Sequence, residues 1–216
     1  MEHKRAVIVT DIQGDFTTWK QGSLAVPGTD ETLVRSVESA TRMLKEHGFL
    51  IVATQDYHPP DHISFAVNHP GKEVFDVVQI DGRTQVLWPP HCVQGTENAR
   101  ILVDNDLLSA VVRKGTDARF ESYSAFRDDG GSSTGMDELL REHGVTALVI
   151  YGIATDYCVK ATAIDAARAG FTVIVVESLC RGVAVETTAQ ALKQMEEAGI
   201  NVAREFDLET ILAFTP

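Results

Sequence analysis

Apolar runs rich in Val and Ile recur along the chain, and stretches of helical period separate them. RAVIVT (5–10) is the first strand candidate, ETLVRSVESATRMLKEHG (31–48) reads as a helix closed by Gly48, and FLIVAT (49–54) and SAVVRK (109–114) are further strands. The helix MDELLREHG (136–144), the strand VTALVIYG (145–152), a helix from about Cys158 to Gly170 and the strand FTVIVVE (171–177) follow. A helix TTAQALKQMEEAG (187–199) and a weak strand NVARE (201–205) complete the series. Continuous apolar strands need cover on both faces, unlike strands that alternate apolar with polar residues. The expected class is therefore α/β: a mainly parallel sheet with helices on both faces, in a three-layer Rossmann-like sandwich. Residues from about 55 to 108 break the rhythm, and five of the seven prolines fall between Pro59 and Pro90. This stretch is expected to be a long structured excursion over one edge of the sheet, the kind of segment that carries function.

At 216 residues the chain suits one domain spanning 1–216. Nineteen Lys and Arg against 31 Asp and Glu give a formal charge of -12. With no basic stripe, neither nucleic acid nor an anionic membrane is an expected partner. No apolar stretch approaches the length of a membrane span, and MEHKRAVIVTD runs into a strand without the apolar core of a signal peptide. Cys92, Cys158 and Cys180 are an odd number with no spacing pattern, which fits free thiols in a reducing cytoplasm.

In open α/β sheets, ligands bind beyond the carboxyl ends of the strands. Asp11 follows the first strand, in TDIQGDF; Asp56, His58 and His62 follow the second, in TQDYHPPDH; Lys114 ends the third, and Cys158 follows the fourth. Taken singly, each has an ordinary explanation: a turn aspartate, a solvated lysine, a buried small cysteine, turn-capping histidines. Their coincidence on one rim points to chemistry. Cys158 at a helix start would have its thiol pKa lowered by free N–H groups and the helix dipole, as a nucleophile requires. A carboxylate near it could take the thiol proton, and an ammonium between them could hold both anions. Asp56 and His58, two apart on an extended or turning segment, could face one point, and His91 in WPPHCVQGT supplies a third donor. One carboxylate and two imidazoles suit a divalent cation, Zn²⁺ first with Fe²⁺ or Mn²⁺ as alternatives, and leave positions open to water or substrate. His62 is either a fourth ligand or a support to the others. Cys92 and Cys180 read as structural, and His3, His47, His69 and His143 carry no such signal; His47 and His143 complement helix ends.

These residues resemble the nicotinamidases (pyrazinamidases) of the isochorismatase-like cysteine hydrolases. The matching segments are DIQGDF (11–16), TQDYHPPDHISFAVNH (54–69), WPPHCVQGT (88–96), RKG (113–115), YSAF (123–126) and GIATDYCVKATA (152–163), spread over most of the chain in the family's order. The resemblance implies a triad of Asp11, Lys114 and Cys158, and a metal held by Asp56, His58 and His91. It further implies that Phe16 and Trp88 flank a pyridine ring with Tyr123 as another substrate contact, and that the N–H groups of Ala154 and Cys158 form an oxyanion hole. A cis peptide is implied before Ala154. Gly14 departs from the family, which often has asparagine there. The implied activity is hydrolysis of nicotinamide to nicotinate and ammonia through a thioester, with pyrazinamide also a substrate, in NAD salvage by a monomer or homo-oligomer. The rivals are a cysteine hydrolase of another small amide or carbamoyl compound, and an idle protein that binds a ligand or partner.

Overall fold

The computed structural model describes residues 4–214, so His3 lies outside the described residues. In chain order the elements are β1 (Lys4–Thr10), α1 (Glu31–Glu46), β2 (Leu50–Asp56), β3 (Val77–Ile80), β4 (Arg83–Val86), β5 (Ala110–Lys114), α2 (Met136–Glu142), β6 (Val145–Gly152), α3 (Lys160–Arg168), β7 (Thr172–Val176), α4 (Val185–Glu197), β8 (Asn201–Ala203) and α5 (Leu208–Ala213). The Asp30 carboxylate accepts the Leu33 N–H at the start of α1, and Gly48, with φ +83°, reverses the chain after its end. The Asp207 side chain caps α5 in the same way, through the Thr210 N–H. Such caps satisfy N–H groups that a helix terminus leaves unpaired.

Six strands form one parallel sheet in the order β5-β2-β1-β6-β7-β8. From Ala6 to Thr10 in β1, and along nearly all of β6, every residue is buried, as continuous apolar runs in a doubly covered sheet require. From β1 the chain steps outward through β2 to β5, then crosses to β6 on the other side of β1 and steps outward through β7 to β8. Right-handed crossovers in opposite directions place α1 on one face and α2, α3 and α4 on the other. The order reverses between β1 and β6, so the crevice beyond their carboxyl ends is the topological switch point.

The excursion between β2 and β5 is structured. It contains the antiparallel β3–β4 hairpin, turned by Asp81 and Gly82 with φ of +51° and +78°. It also returns to the rim of the main sheet: the Leu102 N–H donates to the Ile12 carbonyl, and Ser109 N–H to Ile51. Two expectations need adjusting. Cys158 lies within a π-helical turn (Thr155–Val159), with α3 starting only at Lys160, and α4 begins two residues before the expected 187.

Candidate active site

Four of the six strand ends, those of β1, β2, β5 and β6, contribute groups to a shared point. Asp11 leaves β1 with φ +47°. Its N–H donates to Thr54 Oγ1 (3.1 Å), and the Thr54 hydroxyl donates to Asp11 Oδ1 (2.6 Å), so a β2 side chain fixes both ends of the aspartate. Lys114, the last residue of β5, has no accessible side-chain surface. Its Nζ lies 2.9 Å from Asp11 Oδ2 and 3.4 Å from Cys158 Sγ, and it donates to Asp56 Oδ1 (2.5 Å) and to the Ser122 carbonyl (2.9 Å). The ammonium therefore touches three of the groups that the sequence put on the rim, Asp11, Asp56 and Cys158. Its contact with Asp56 was not anticipated, and it ties the thiol cluster to the histidine cluster.

The charges follow from burial and neighbours. Burial would neutralise Lys114, but Asp11 and Asp56 hold its pKa well above the ordinary lysine value. Burial raises the Asp11 carboxyl, and Lys114 only partly opposes this. Burial also pushes the Cys158 thiol well up; Lys114 pulls it down, while Asp11 and Asp56 add to the rise. This runs against the expectation that a helix start leaves a low-pKa thiol: desolvation of the anion outweighs the nearby ammonium, so the shift is upward.

His58 Nδ1 donates to the Gly115 carbonyl (2.9 Å) and His91 Nδ1 to that of Pro89 (2.8 Å). Both imidazoles thereby present the Nε2 lone pair, the orientation that ligating histidines take when a carbonyl holds the other nitrogen. Among the described residues His58 Nε2 is buried without a hydrogen-bond partner, and it sits 3.5 Å from Asp56 Oδ2. Donor atoms of Asp56, His58 and His91 lie within 4.8 Å of one another. Two bonds of about 2.1 Å at a tetrahedral angle span about 3.4 Å, so the donor set and its spacing fit a divalent cation. Burial lowers His91 to about 4, which keeps it neutral. For His58, burial is outweighed by Asp56, which raises its pKa. An added Cβ at Gly115, whose φ is +63°, would lie 2.3 Å from His58 Cε1; only glycine lets this imidazole pass.

The first loop braces this arrangement. Gln13 Nε2 donates to the Asp56 carbonyl (2.8 Å) and its Oε1 accepts the Asp56 N–H (2.8 Å). Asp15 Oδ2 accepts the N–H of Cys92, next to His91 (2.7 Å). Thus DIQGDF supplies Asp11 to the cluster and two side chains that hold its neighbours. A Cβ at Gly14 would lie 2.8 Å from Asn98 Cα, which accounts for glycine where the resembling family often has asparagine.

A cavity opens onto Cys158, lined also by Phe16, Leu24, Val26, Asp56, Trp88, His91, Glu121, Tyr123, Ala154, Tyr157 and Val183. Trp88 Nε1 donates to Tyr123 Oη (3.1 Å), and Tyr157 packs edge-on against Trp88 with centroids 5.1 Å apart. The Ile153–Ala154 peptide is cis, as the resemblance implies. All the sequence-derived site residues converge here, with Asp11 and Lys114 behind Cys158 and His58 behind Asp56. His62 is adjacent but engaged elsewhere: Nδ1 meets Ser64 Oγ (2.8 Å) and accepts the Ser64 N–H (3.3 Å), while Nε2 meets the Phe120 carbonyl (3.1 Å). Sequence reading missed Glu121, Leu24, Val26, Tyr157 and Val183. Cys92 and Cys180 are buried and free.

A parallel α/β sheet with a thiol, a carboxylate and an ammonium meeting at its switch point describes a class, the α/β proteins with a cysteine-bearing crevice. Residues 5–205 match the Isochorismatase domain, and the chain belongs to that family. It is 39% identical to the nicotinamidase of Escherichia coli (strain K12) over 213 residues, which is 95% of this chain and 97% of that protein. Among solved structures, it is similar to the pyrazinamidase of Pyrococcus horikoshii in complex with zinc (TM-score 0.78, 35% identity, 94% of this chain and 99% of that one). It is likewise similar to the yeast nicotinamidase bound to the inhibitor nicotinaldehyde (TM-score 0.85, 31% identity, 92% of this chain and 99% of that one).

Proposed function

We propose that the chain is a cysteine amidohydrolase that converts nicotinamide to nicotinate and ammonia, accepts pyrazinamide, and serves NAD salvage. The observation that carries this reading is the single ammonium of Lys114 in contact with Asp11, Asp56 and Cys158, beside a small aromatic-walled cavity. The relatives support the substrate class, since one is a nicotinamidase by name and another binds a pyridine aldehyde.

Asp56, His58 and His91 would hold a divalent cation, Zn²⁺ in the first instance. When bound, that cation supplies a Lewis-acid site for the pyridine nitrogen. Phe16 and Trp88 wall the ring, Tyr123 fixes Trp88, and the carboxamide is directed at Cys158. Asp11 takes the thiol proton as sulfur attacks the carbonyl carbon. The raised pKa of Asp11 narrows the gap that this transfer has to cross. The oxyanion is received by the N–H groups of Ala154 and Cys158. Asp11 then returns the proton to the leaving nitrogen, the C–N bond breaks, and ammonia departs from the thioester. In the second half, Asp11 takes a proton from water as its oxygen attacks the thioester carbon. The C–S bond breaks, and the proton on Asp11 goes back to sulfur. Lys114 stays charged throughout and offsets the anion on either neighbour.

The test is ammonia release from nicotinamide, with mass spectrometry of the quenched reaction. Turnover with a nicotinoyl adduct on Cys158 is the expected result. No ammonia from nicotinamide or pyrazinamide with cation supplied would reject the assignment.

A further inference from the structure

Of the two carboxylates that line the cavity, Asp56 and Glu121, the second has no part in the reaction above. Glu121 is 3% exposed; its Oε1 accepts the Ser122 N–H (2.9 Å), and its Oε2 has no hydrogen-bond partner among the described residues. A buried carboxylate left in this state is costly and calls for a positive neighbour. Its oxygen lies within 4.8 Å of ring nitrogens of His58 and His62, and it shares the cavity wall with Asp56 and His91.

His62 is the other candidate for this corner, and its hydrogen bonds exclude it. A carbonyl only accepts, so the contact of Nε2 with the Phe120 carbonyl places a proton on Nε2. Nδ1 accepts the Ser64 N–H, so neither nitrogen keeps a free lone pair. Charge counting favours Glu121 in turn. Three carboxylates, Asp11, Asp56 and Glu121, surround the buried Lys114 ammonium and the cation site. One ammonium and one dication neutralise all three; without Glu121 the loaded site would carry a buried surplus of positive charge.

We propose that Glu121 is a positioning residue for the divalent cation, accepting a hydrogen bond from a water of the cation's shell, and that His62 is structural and outside that shell. This rests on the reading of Asp56, His58 and His91 as the cation's ligands. Carboxylates that support a metal site from outside its direct ligands are worth about 10- to 100-fold in affinity.

The experiment titrates metal-free protein with Zn²⁺ by calorimetry, records the visible spectrum of the Co²⁺-loaded form, and measures Tm with and without metal. The proteins are the parent, Glu121→Gln, Glu121→Asp, His62→Asn and His58→Ala. Glu121→Gln should bind Zn²⁺ about 10- to 100-fold more weakly with an unchanged Co²⁺ spectrum, and Glu121→Asp should recover part of the loss. The metal-free Tm of Glu121→Gln should equal or exceed the parent's, because an unpaired buried charge has gone, while its metal-loaded Tm falls. A merely structural role would lower both. His62→Asn should keep the parent's Zn²⁺ affinity with a lower Tm. Parent-like affinity in Glu121→Gln, an altered Co²⁺ spectrum, or loss of affinity in His62→Asn matching that of His58→Ala would each overturn the proposal. A parent that binds no cation would instead overturn the ligand set itself, and the role of Glu121 with it.

Discussion

Three cysteines are buried, yet only Cys158 meets Lys114 and lines the cavity; Cys180 instead directs its thiol at the Val176 carbonyl. Cys158→Ala should abolish turnover while Cys180→Ala keeps most of it, as read from kcat on nicotinamide. Near-normal kcat in the alanine variant of Cys158 would exclude a covalent route. Asp11→Asn removes the only proposed proton acceptor and should lose several orders of magnitude in kcat, on the scale of deleting a triad member. Lys114→Ala should be comparably inactive, and it should also be less stable. Two buried carboxylates lose their shared partner, a change that costs about 3–5 kcal/mol when one side of a buried pair is removed. Chemical denaturation checks this. The raised pKa of Asp11 also sets an acid limb. As the proposed base, Asp11 would be competent only when ionised, so kcat/KM at saturating metal should fall as pH drops through a value above the 3.8 of a free aspartate. A profile flat down to that value would remove Asp11 as the base.

At the scale of elements, the turn that leaves β5 decides whether the histidine site exists. Gly115→Ala drives a methyl into the His58 ring and strains a positive φ, so Zn²⁺ affinity should drop sharply while the far-UV spectrum stays native. Unchanged affinity would mean that His58 does not ligate. The sequence made the main strands, and the groups that end them, readable for one physical reason. Doubly buried strands are written as unbroken apolar runs, so Asp11, Asp56, Lys114 and Cys158 each stand out at the point where a run stops. Glu121 carries no such mark: it lies in an irregular segment, and its neighbours His58 and His62 come from the other side of a long chain excursion. The β3–β4 hairpin had a readable sign in its Asp-Gly turn, but its half-exposed strands lack the apolar density of the others. The six-residue α5 is too short for periodicity to show, and its only signal was the capping Asp207. The π-helical turn around Cys158 keeps the composition of a helix, so nothing in the residues separates it from α3.

For the molecule as a whole, a cation held by Asp56, His58 and His91 would join the end of β2 to the middle of the excursion, and its removal should be felt beyond catalysis. Bound at a hundredfold excess over Kd it would stabilise the fold by about 2.7 kcal/mol, or roughly 5–10 °C in Tm for a chain of this size. Differential scanning calorimetry with and without chelator reads this directly, and an unchanged Tm would argue against a cation held by Asp56, His58 and His91. The same cation should govern substrate choice. Benzamide has a C–H where nicotinamide has its ring nitrogen, and a site built to bond a polar atom rejects such an analogue by about 10⁴-fold. Pyrazinamide keeps the nitrogen and should be hydrolysed. Chelation or His58→Ala should therefore reduce kcat/KM on nicotinamide far more than on benzamide, and equal rates on the two amides in the loaded protein would rule out recognition through the ring nitrogen.

The strand order also has a consequence in time. During synthesis β1 emerges first and finds β2 early, but its other neighbour, β6, ends only at Gly152. Until the ribosome has passed that point, the nascent chain can hold only half a sheet, with one side of β1 open, and Asp11 and Lys114 have no thiol to meet. Unpaired strand edges of this kind are where growing chains stick to one another. The step that closes the edge is also followed at once by Cys158, so a chain arrested short of β6 has an open strand edge and a centre in which Asp11 and Lys114 still lack their thiol.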